Sequence, residues 1–324
     1  MRYRNIVLLI LGIAIVAALA ELAFNAFLPQ YSITQRSGPG QITLYGIGLA
    51  AILWFTVAVA RINPVAFLVG YLHDWRRLVT GFAVMFLIAM AAMLLLHVSM
   101  GIVGTARFSN PAWEAMTLKV WERTVVGLLV VIVLATTEEL IFRGFLLRYL
   151  RWNDTLGVTV AAVIVSSAIF SLLHVIALQS AIRQPDYVPL LFGLFMFGLL
   201  LGTVYVVTGS LACTIGMHAG LLGFKVIQRK TGLIIYSPDW FFGIRNNGYD
   251  LRSGPGIWLA LLIAACAFVL WRHWLRQRLW IETAVAADPK PGQGIGFRLE
   301  GASTGLSAAA GADSRPGGLG AAAR

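Results

Sequence analysis

Long apolar stretches recur along the chain, separated by short segments that carry most of the charged residues. A helix needs about 20 apolar residues to cross a bilayer. Six stretches approach or exceed that length, at residues 6–28, 43–60, 78–102, 124–147, 157–178 and 188–208. Two shorter stretches follow, at 211–224 and 257–271. The pattern predicts an all-α, polytopic membrane protein with about eight transmembrane helices.

The placement of proline favours helices over the strands of a membrane barrel. Proline inside a helix removes a hydrogen bond and clashes with the preceding turn. All eleven prolines lie outside the apolar stretches or within their first residues. The mean hydropathy of +0.80 and the charged fraction of 12% agree with a membrane protein, since soluble domains average about 25% charged residues.

The net charge of +11 predicts contact with anionic lipid and no nucleic-acid partner, because basic loops beside membrane helices bind lipid headgroups. Arg2 and Arg4 precede the first apolar stretch. A basic amino terminus and compact loops are typical of a bacterial plasma (inner) membrane protein.

Composition divides the chain into three predicted regions. Residues 1–120 hold the first three helices and their loops, and residues 121–283 hold helices four to eight. Residues 284–324 are rich in Ala, Gly, Pro and Ser. Such a tail buries too little apolar surface to offset its ordering entropy, so it is predicted to be disordered.

Three acidic residues fall within apolar stretches: Glu21, Glu138 and Glu139. A charged carboxylate at the bilayer centre costs at least about 2.5 kcal/mol, so each one is a functional-site hypothesis. Two histidines, His174 and His218, lie in the helices that follow the glutamate pair. For Glu21, pairing with a polar group of a neighbouring helix is the favoured interpretation.

The glutamate pair is followed by an arginine four residues after its second member. Glu139 and Arg143 therefore share a helix face, whereas Glu138 points about 100° away. A stabilising ion pair between Glu139 and Arg143 explains one glutamate but not the other. The spacing predicts that Glu138 faces a cavity and a different partner, for which His174 and His218 are candidates.

A buried carboxylate beside two histidines has two chemical interpretations. The carboxylate can take a proton from water while the other groups polarise a peptide carbonyl. Alternatively, Glu139, His174 and His218 form a set that binds a divalent metal such as zinc and leaves one position for water. The residues themselves leave both interpretations open, so the cofactor is undetermined at this point.

Three motifs together resemble the CPBP intramembrane proteases, a family that includes the CAAX prenyl endopeptidases and bacteriocin-processing or immunity proteins. They are EExxxR as "EELIFR" (138–143), FxxxH as "FSLLH" (170–174) and a third-motif histidine at His218. The resemblance covers roughly residues 120–228. It implies eight helices with the active site in a cavity among the later ones.

The resemblance also implies a role for each matching residue. Glu138 is the general base that activates water together with His174, and His218 helps to hold the oxyanion. Glu139 and Arg143 organise the site, with Phe170 as a supporting residue. The implied function is an intramembrane endopeptidase that hydrolyses a membrane-associated, CAAX-like or leader-peptide substrate.

One position departs from the family pattern. The third motif is usually HxxxN, and here the fourth residue after His218 is Leu222. Thr214 carries the nearest hydroxyl on the same helix face and is the candidate replacement donor. Leu222 also favours an alternative function: a non-catalytic immunity or scaffold protein, or a proton-coupled carrier that uses the same carboxylates.

Overall fold

A computed structural model describes residues 75–153, 155–177, 187–245, 248–249 and 251–287, with isolated positions at 22, 26, 27, 50, 54 and 57. The predicted helices 6–28 and 43–60 lie almost entirely outside the described residues, as do Glu21 and most of the predicted tail. The chain forms two compact units, Met1–Trp274 and Leu275–Arg324. Of the second unit, only the part that ends the last helix is described.

The described elements are helical apart from four short strands. In chain order they are α1 (Trp75–Ile102), β1 (Ala106–Phe108), α2 (Asn110–Glu114), α3 (Leu118–Glu139), a π-helical segment (Leu140–Leu147), α4 (Arg148–Leu150), α5 (Leu156–Ala177), α6 (Tyr187–Thr208), α7 (Leu211–Thr231), β2 (Ile234–Tyr236), β3 (Ile244–Arg245), β4 (Gly248–Tyr249), a 3-10 turn (Leu251–Ser253) and α8 (Pro255–Ala287).

Within the described residues, six helices are long and apolar enough to cross a membrane. They coincide with the last six predicted stretches, so the all-α polytopic fold is confirmed and the protein is an integral membrane protein. The count of eight and the predicted division at residues 120 and 283 stay predictions. The predicted apolar stretch 211–224 is shorter than the helix it belongs to, because α7 continues to Thr231. The helix ends at Gly232, which adopts a left-handed φ of 64°.

Two short strands pair the segment that follows α1 with the segment that follows α7. β1 pairs antiparallel with β2, with Ala106 opposite Tyr236. His97, buried near the end of α1, lies with its Nε2 2.7 Å from the Tyr236 hydroxyl, and its Nδ1 lies 2.7 Å from the Met93 carbonyl oxygen. These contacts hold the segment after α7 against the end of α1.

α7 is the central helix, and glycine permits its close approach to α1. A Cβ atom at Gly216 would lie 2.3 Å from the carbonyl oxygen of Phe82, and one at Gly220 would lie 2.6 Å from that of Phe86. Real Cβ atoms do not approach so closely, so these two positions let the backbones meet directly. Small residues at helix interfaces serve this purpose in membranes.

α5 and α6 pack against each other in the same way. A Cβ atom at Gly198 of α6 would lie 2.9 Å from Cβ of Ser167 on α5. The π-helical segment joins this pair through a cluster of buried apolar residues that includes Phe142, Leu146 and Phe170. The ends of α3 and the π-helical segment are thereby held between α5, α6 and α7.

The α1–α7 contact predicts a stability difference between two glycine substitutions. Gly216→Ala should destabilise the protein by about 1 to 3 kcal/mol, as overpacking a close contact does. Gly157→Ala, on α5 with nothing within 4 Å of the added Cβ, should be neutral or slightly stabilising. Thermal unfolding in detergent measures both, and equal melting temperatures would contradict the close α1–α7 contact.

Candidate active site

Two adjacent carboxylates lie where α3 ends and the π-helical segment begins. Glu138 is 2% exposed and Glu139 is 0% exposed. π-helical turns are rare and occur frequently at functional sites, because the wider turn changes the direction of neighbouring side chains. Here the widened segment covers eight residues directly after the pair.

Glu139 is the centre of an ion-pair network. Its Oε1 accepts a hydrogen bond from Nη1 of Arg143 at 2.8 Å, so the ion pair predicted from the four-residue spacing is present. The same Oε1 lies 2.8 Å from Nδ1 of His218. Arg143, 1% exposed, also donates from Nη2 to the Gly198 carbonyl at 3.1 Å. One carboxylate thus joins the end of α3, the π-helical segment, α6 and α7.

Aromatic rings enclose the arginine and both histidines. Cζ of Arg143 lies 5.0 Å from the centre of the Phe170 ring and 5.9 Å from that of Phe142, within the range of cation–π attraction. The Phe170 ring lies 4.4 Å from the His174 ring, and the Phe197 ring lies 4.9 Å from the His218 ring. These rings pack against the guanidinium and both imidazoles and hold them in place.

Glu138 faces the two histidines. Its Oε1 lies 3.9 Å from Nε2 of His174, and its Oε2 lies 3.8 Å from Nε2 of His218. These distances are too long for direct hydrogen bonds, which end near 3.2 Å for N–H···O, and a polar contact beyond 3.5 Å is a natural place for a bridging water. Glu138 therefore faces His174 and His218, in agreement with its predicted position on a different helix face from Glu139.

Hydrogen bonds fix the orientation of both imidazoles. Nδ1 of His174 donates to the Phe170 carbonyl oxygen at 2.8 Å, since a carbonyl can only accept. Nδ1 of His218 donates likewise to the Glu139 carboxylate. In each ring the Nε2 atom is the one turned towards Glu138. The side chain of His174 is 15% exposed, which makes it the most accessible member of the site.

Thr214 and Leu222 do not supply an evident donor to the carboxylate pair. Thr214 is 0% exposed, and its hydroxyl donates to the Leu211 carbonyl of its own helix at 2.8 Å. A hydroxyl has one proton to donate, so this proton is engaged. Leu222 packs against a small apolar cluster with Val131 and Ala135 of α3.

The predicted metal set does not converge on one point. Glu139 contacts Nδ1 of His218, the nitrogen on the opposite side of the ring from the Nε2 that faces Glu138. Its Oε1 is already shared between Arg143 and His218. Among the described residues, no group of three or more His, Cys, Asp or Glu side chains is placed to hold a metal ion. The set Glu139, His174 and His218 therefore does not fit as a metal site.

Two contributors to the site could not be found from sequence. Gly198 supplies a backbone carbonyl to Arg143, and backbone acceptors leave no mark on residue identity. Phe197 packs against His218 but lies in an apolar stretch with several other phenylalanines. The only available signal was the adjacency of Gly198 to an aromatic residue inside a predicted span, which is too common to be informative.

The ion pair predicts non-additive effects of two substitutions. Arg143→Met leaves a buried carboxylate without its cation and should cost about 3 to 5 kcal/mol, as the loss of one partner of a buried pair does. Adding Glu139→Gln to this variant should recover part of that loss, because the uncompensated charge is removed. Unfolding measured on both single variants and the double variant tests the coupling; additive losses would contradict a direct pair.

Comparison with known proteins agrees with the motifs. Residues 120–222 match a family model described as "Type II CAAX prenyl endopeptidase Rce1-like". No curated protein and no solved structure is significantly similar to the chain. The matched region begins in α3, contains Glu138, Glu139, Arg143, His174 and His218, and ends at Leu222. The resemblance of this region to the CAAX-type intramembrane peptidases is thereby confirmed.

Proposed function

We propose that the protein is an intramembrane endopeptidase that hydrolyses a peptide bond with water activated by Glu138. The observation that carries the proposal is the position of Glu138, whose two carboxylate oxygens each face the Nε2 atom of a histidine at 3.8 to 3.9 Å. The family match supports a peptidase in general. The mechanism is argued from the side chains themselves.

The carboxylate and His174 are placed to bind one water molecule between them. A water in this gap donates one proton to Glu138 and the other to Nε2 of His174, which leaves an oxygen lone pair directed at a substrate carbonyl. As the C–O bond forms, Glu138 takes the water proton. It then passes that proton to the leaving amine when the C–N bond breaks, so the products are a new carboxylic acid group, which keeps the second water proton, and a new amino group.

His218 has a different role, which is to stabilise the negative charge that develops on the substrate. Its ring lies between the Glu139 carboxylate at Nδ1 and the Glu138 carboxylate at Nε2. A protonated His218 donates from Nε2 to the oxyanion that develops on the substrate carbonyl. Glu139 and Arg143 act as positioning residues, because they hold the His218 ring by its other nitrogen.

The enclosed setting of these groups strengthens their interactions. Glu138, Glu139, Arg143 and His218 are each at most 2% exposed. Electrostatic interactions in such a low-dielectric site exceed those in water, and prealigned groups need no reorganisation during the reaction. Placing the site within the bilayer also suits a substrate that is itself bound to the membrane.

The proposed substrate is a membrane-associated peptide, either of CAAX type or a leader peptide, and the proposed location is a bacterial plasma membrane. The family description supports a peptide that carries a lipid near its carboxyl end. Lipid attachment concentrates such a peptide in the membrane. The apolar surface of the six helices supports the bilayer as the surrounding medium.

One observation favours a second candidate function. Leu222 occupies the position of the family asparagine and packs in an apolar cluster, so the oxyanion lacks that donor. Loss of one such donor weakens transition-state stabilisation by roughly 3 to 4 kcal/mol. A non-catalytic immunity or scaffold protein, or a proton-coupled carrier, would keep the buried carboxylates without needing the donor.

Substitution of the proposed base should abolish cleavage. Glu138→Gln, His174→Ala and His218→Ala should each reduce proteolysis by at least about 100-fold, the lower range of general acid–base contributions. Peptide termini in the membrane proteome, compared between cells with wild-type protein and cells with Glu138→Gln, provide the measurement. Termini that are lost in the variant identify the substrate.

A matched control distinguishes lost chemistry from lost protein. Glu122→Gln changes an exposed carboxylate on the same helix, α3, and should leave all termini unchanged at equal membrane abundance. Normal cleavage by Glu138→Gln would contradict the activation of water by Glu138. Identical termini for wild type and Glu138→Gln, with partner binding retained in both, would select the non-catalytic alternative.

Restoring the family asparagine should increase the rate. Leu222 shares a helix face with His218, so Leu222→Asn adds a donor near the proposed oxyanion and should raise kcat about 10-fold or more. The same change removes an apolar contact and should lower the melting temperature. Turnover of a purified substrate peptide measures the gain; an unchanged or lower kcat, with folded protein, would mean that the oxyanion is held elsewhere.

A further inference from the structure

α6 carries none of the three motifs, yet two consecutive residues near its middle contact the polar network. The Phe197 ring lies 4.9 Å from the His218 ring at an interplanar angle of 81°. The carbonyl oxygen of Gly198 accepts a hydrogen bond from Nη2 of Arg143 at 3.1 Å. α6 thus contacts the network at its histidine and at its arginine, so a shift of this helix would move both contacts together.

The guanidinium of Arg143 is held between two acceptors. Nη1 donates to Oε1 of Glu139 at 2.8 Å, while Nη2 donates to Gly198. Because a guanidinium is a rigid plane, displacement of the Gly198 carbonyl would turn it and change the contact at Oε1 of Glu139. The same Oε1 lies 2.8 Å from Nδ1 of His218. The displacement would therefore reach the imidazole whose Nε2 faces Glu138.

The position of the Gly198 carbonyl depends on a close contact with α5. A Cβ atom at residue 198 would lie 2.9 Å from Cβ, 3.0 Å from Cα and 3.2 Å from Oγ of Ser167. Cα and Cβ move only with the α5 backbone, so an added methyl group requires the two helices to separate. The Ser167 hydroxyl donates to the Val163 carbonyl of its own helix at 2.7 Å. The closeness of the helices therefore follows from the absence of a side chain at residue 198.

A second glycine of α6 provides a comparison within the same interface. A Cβ atom at Gly202 would lie 2.9 Å from Cγ1 of Val163, with the next atoms at 3.6 and 3.7 Å. The overlap is similar, but the nearest atom is the end of a side chain, which can move without the backbone. Gly202 lies one turn further along α6 than the carbonyl that accepts from Arg143.

We propose that Gly198 is a positioning residue of the proposed reaction. Its lack of a side chain lets α6 approach α5, and this approach fixes the carbonyl that holds Arg143. Through Glu139, the packing of the two helices then sets the orientation of the His218 ring. The inference rests on the proposed endopeptidase function for its effect on catalysis, whereas the orientation of the imidazole is measurable without that function.

The orientation of His218 is measured first, by NMR on the full chain in lipid nanodiscs with isotope-labelled histidine. The chain has five histidines, so the imidazole signals are few, and loss of one in His218→Ala assigns it. Its Nδ1 proton, bonded to a carboxylate, gives a distinctive signal because such charge-assisted bonds are short. Gly198→Ala should shift or broaden this signal. Gly202→Ala, the matched control, should leave it unchanged.

Turnover of a quenched, prenylated CAAX-type peptide provides the catalytic measurement, with rates normalised to folded protein. Gly198→Ala should lower kcat about 10- to 100-fold, because a small misplacement of a catalytic group is costly. KM should stay within about twofold, since the interactions that bind the peptide are unchanged. Gly202→Ala should keep both constants close to those of the wild type.

A compensating variant distinguishes position from packing. Ser167→Gly removes the opposing Cβ and Oγ atoms, so the double variant Ser167→Gly/Gly198→Ala moves the Cβ atom from α5 to α6. It should restore both the His218 signal and kcat. If Gly198→Ala does not accumulate in the membrane, Ser167→Gly tests the same contact, since it opens a gap there and should broaden the signal.

The outcomes separate this proposal from the proposed function. A wild-type His218 signal in folded Gly198→Ala or in Ser167→Gly, or equal effects of Gly198→Ala and Gly202→Ala, overturns the positioning role. A changed signal with unchanged kcat overturns its effect on catalysis. The expected pattern of signals without cleavage by any variant, the wild type included, would leave the link from Gly198 to His218 standing and overturn hydrolysis.

Discussion

A single carboxylate oxygen, Oε1 of Glu139, holds the described site together. It accepts from Arg143 and from His218 at 2.8 Å each, and Arg143 in turn reaches the backbone of α6. A buried charge is tolerated only when it is paired and hydrogen-bonded. The packing of α3, α6 and α7 around this atom therefore satisfies an electrostatic requirement as well as a steric one. Without it, the His218 ring would lose the bond that turns its Nε2 towards Glu138.

The two glutamates illustrate how neighbours in sequence acquire different roles. Oε1 of Glu139 has two fixed partners at 2.8 Å, whereas the two oxygens of Glu138 lie 3.8 to 3.9 Å from the histidines. The first arrangement fixes the position of the carboxylate, and the second leaves room for a small reactant. The separation results from the angle between adjacent residues on a helix. One helix can thus carry a structural and a reactive carboxylate without any further element.

Much of this arrangement could be predicted from sequence, and the reasons are physical. Apolar length identified α1, α3, α5 and α6, because the bilayer sets a minimum span, whereas the apolar stretches of α7 and α8 fell short of it. The cost of charge in a membrane singled out Glu138 and Glu139, and the four-residue spacing predicted the Arg143 partner. The full length of α7 was missed because its last turn is polar, with Gln228, Arg229 and Lys230. Contacts through backbone atoms, such as the hydrogen bond from Arg143 to the Gly198 carbonyl, depend on tertiary packing and cannot be predicted from residue types.

The π-helical segment after Glu139 has a consequence for how the chain can vary. The eight residues of this segment form wider turns than an α-helix, so each turn contains more residues than a turn of α3. Deleting one residue there would tend to restore ordinary winding and change which side chains of the segment face α5, α6 and α7. The contacts of the segment with these helices would then be lost, although every side chain of the motif was still present. The length of this segment is consequently as much a part of the site as its residues, and insertions or deletions within 140–147 should be tolerated far less than conservative replacements.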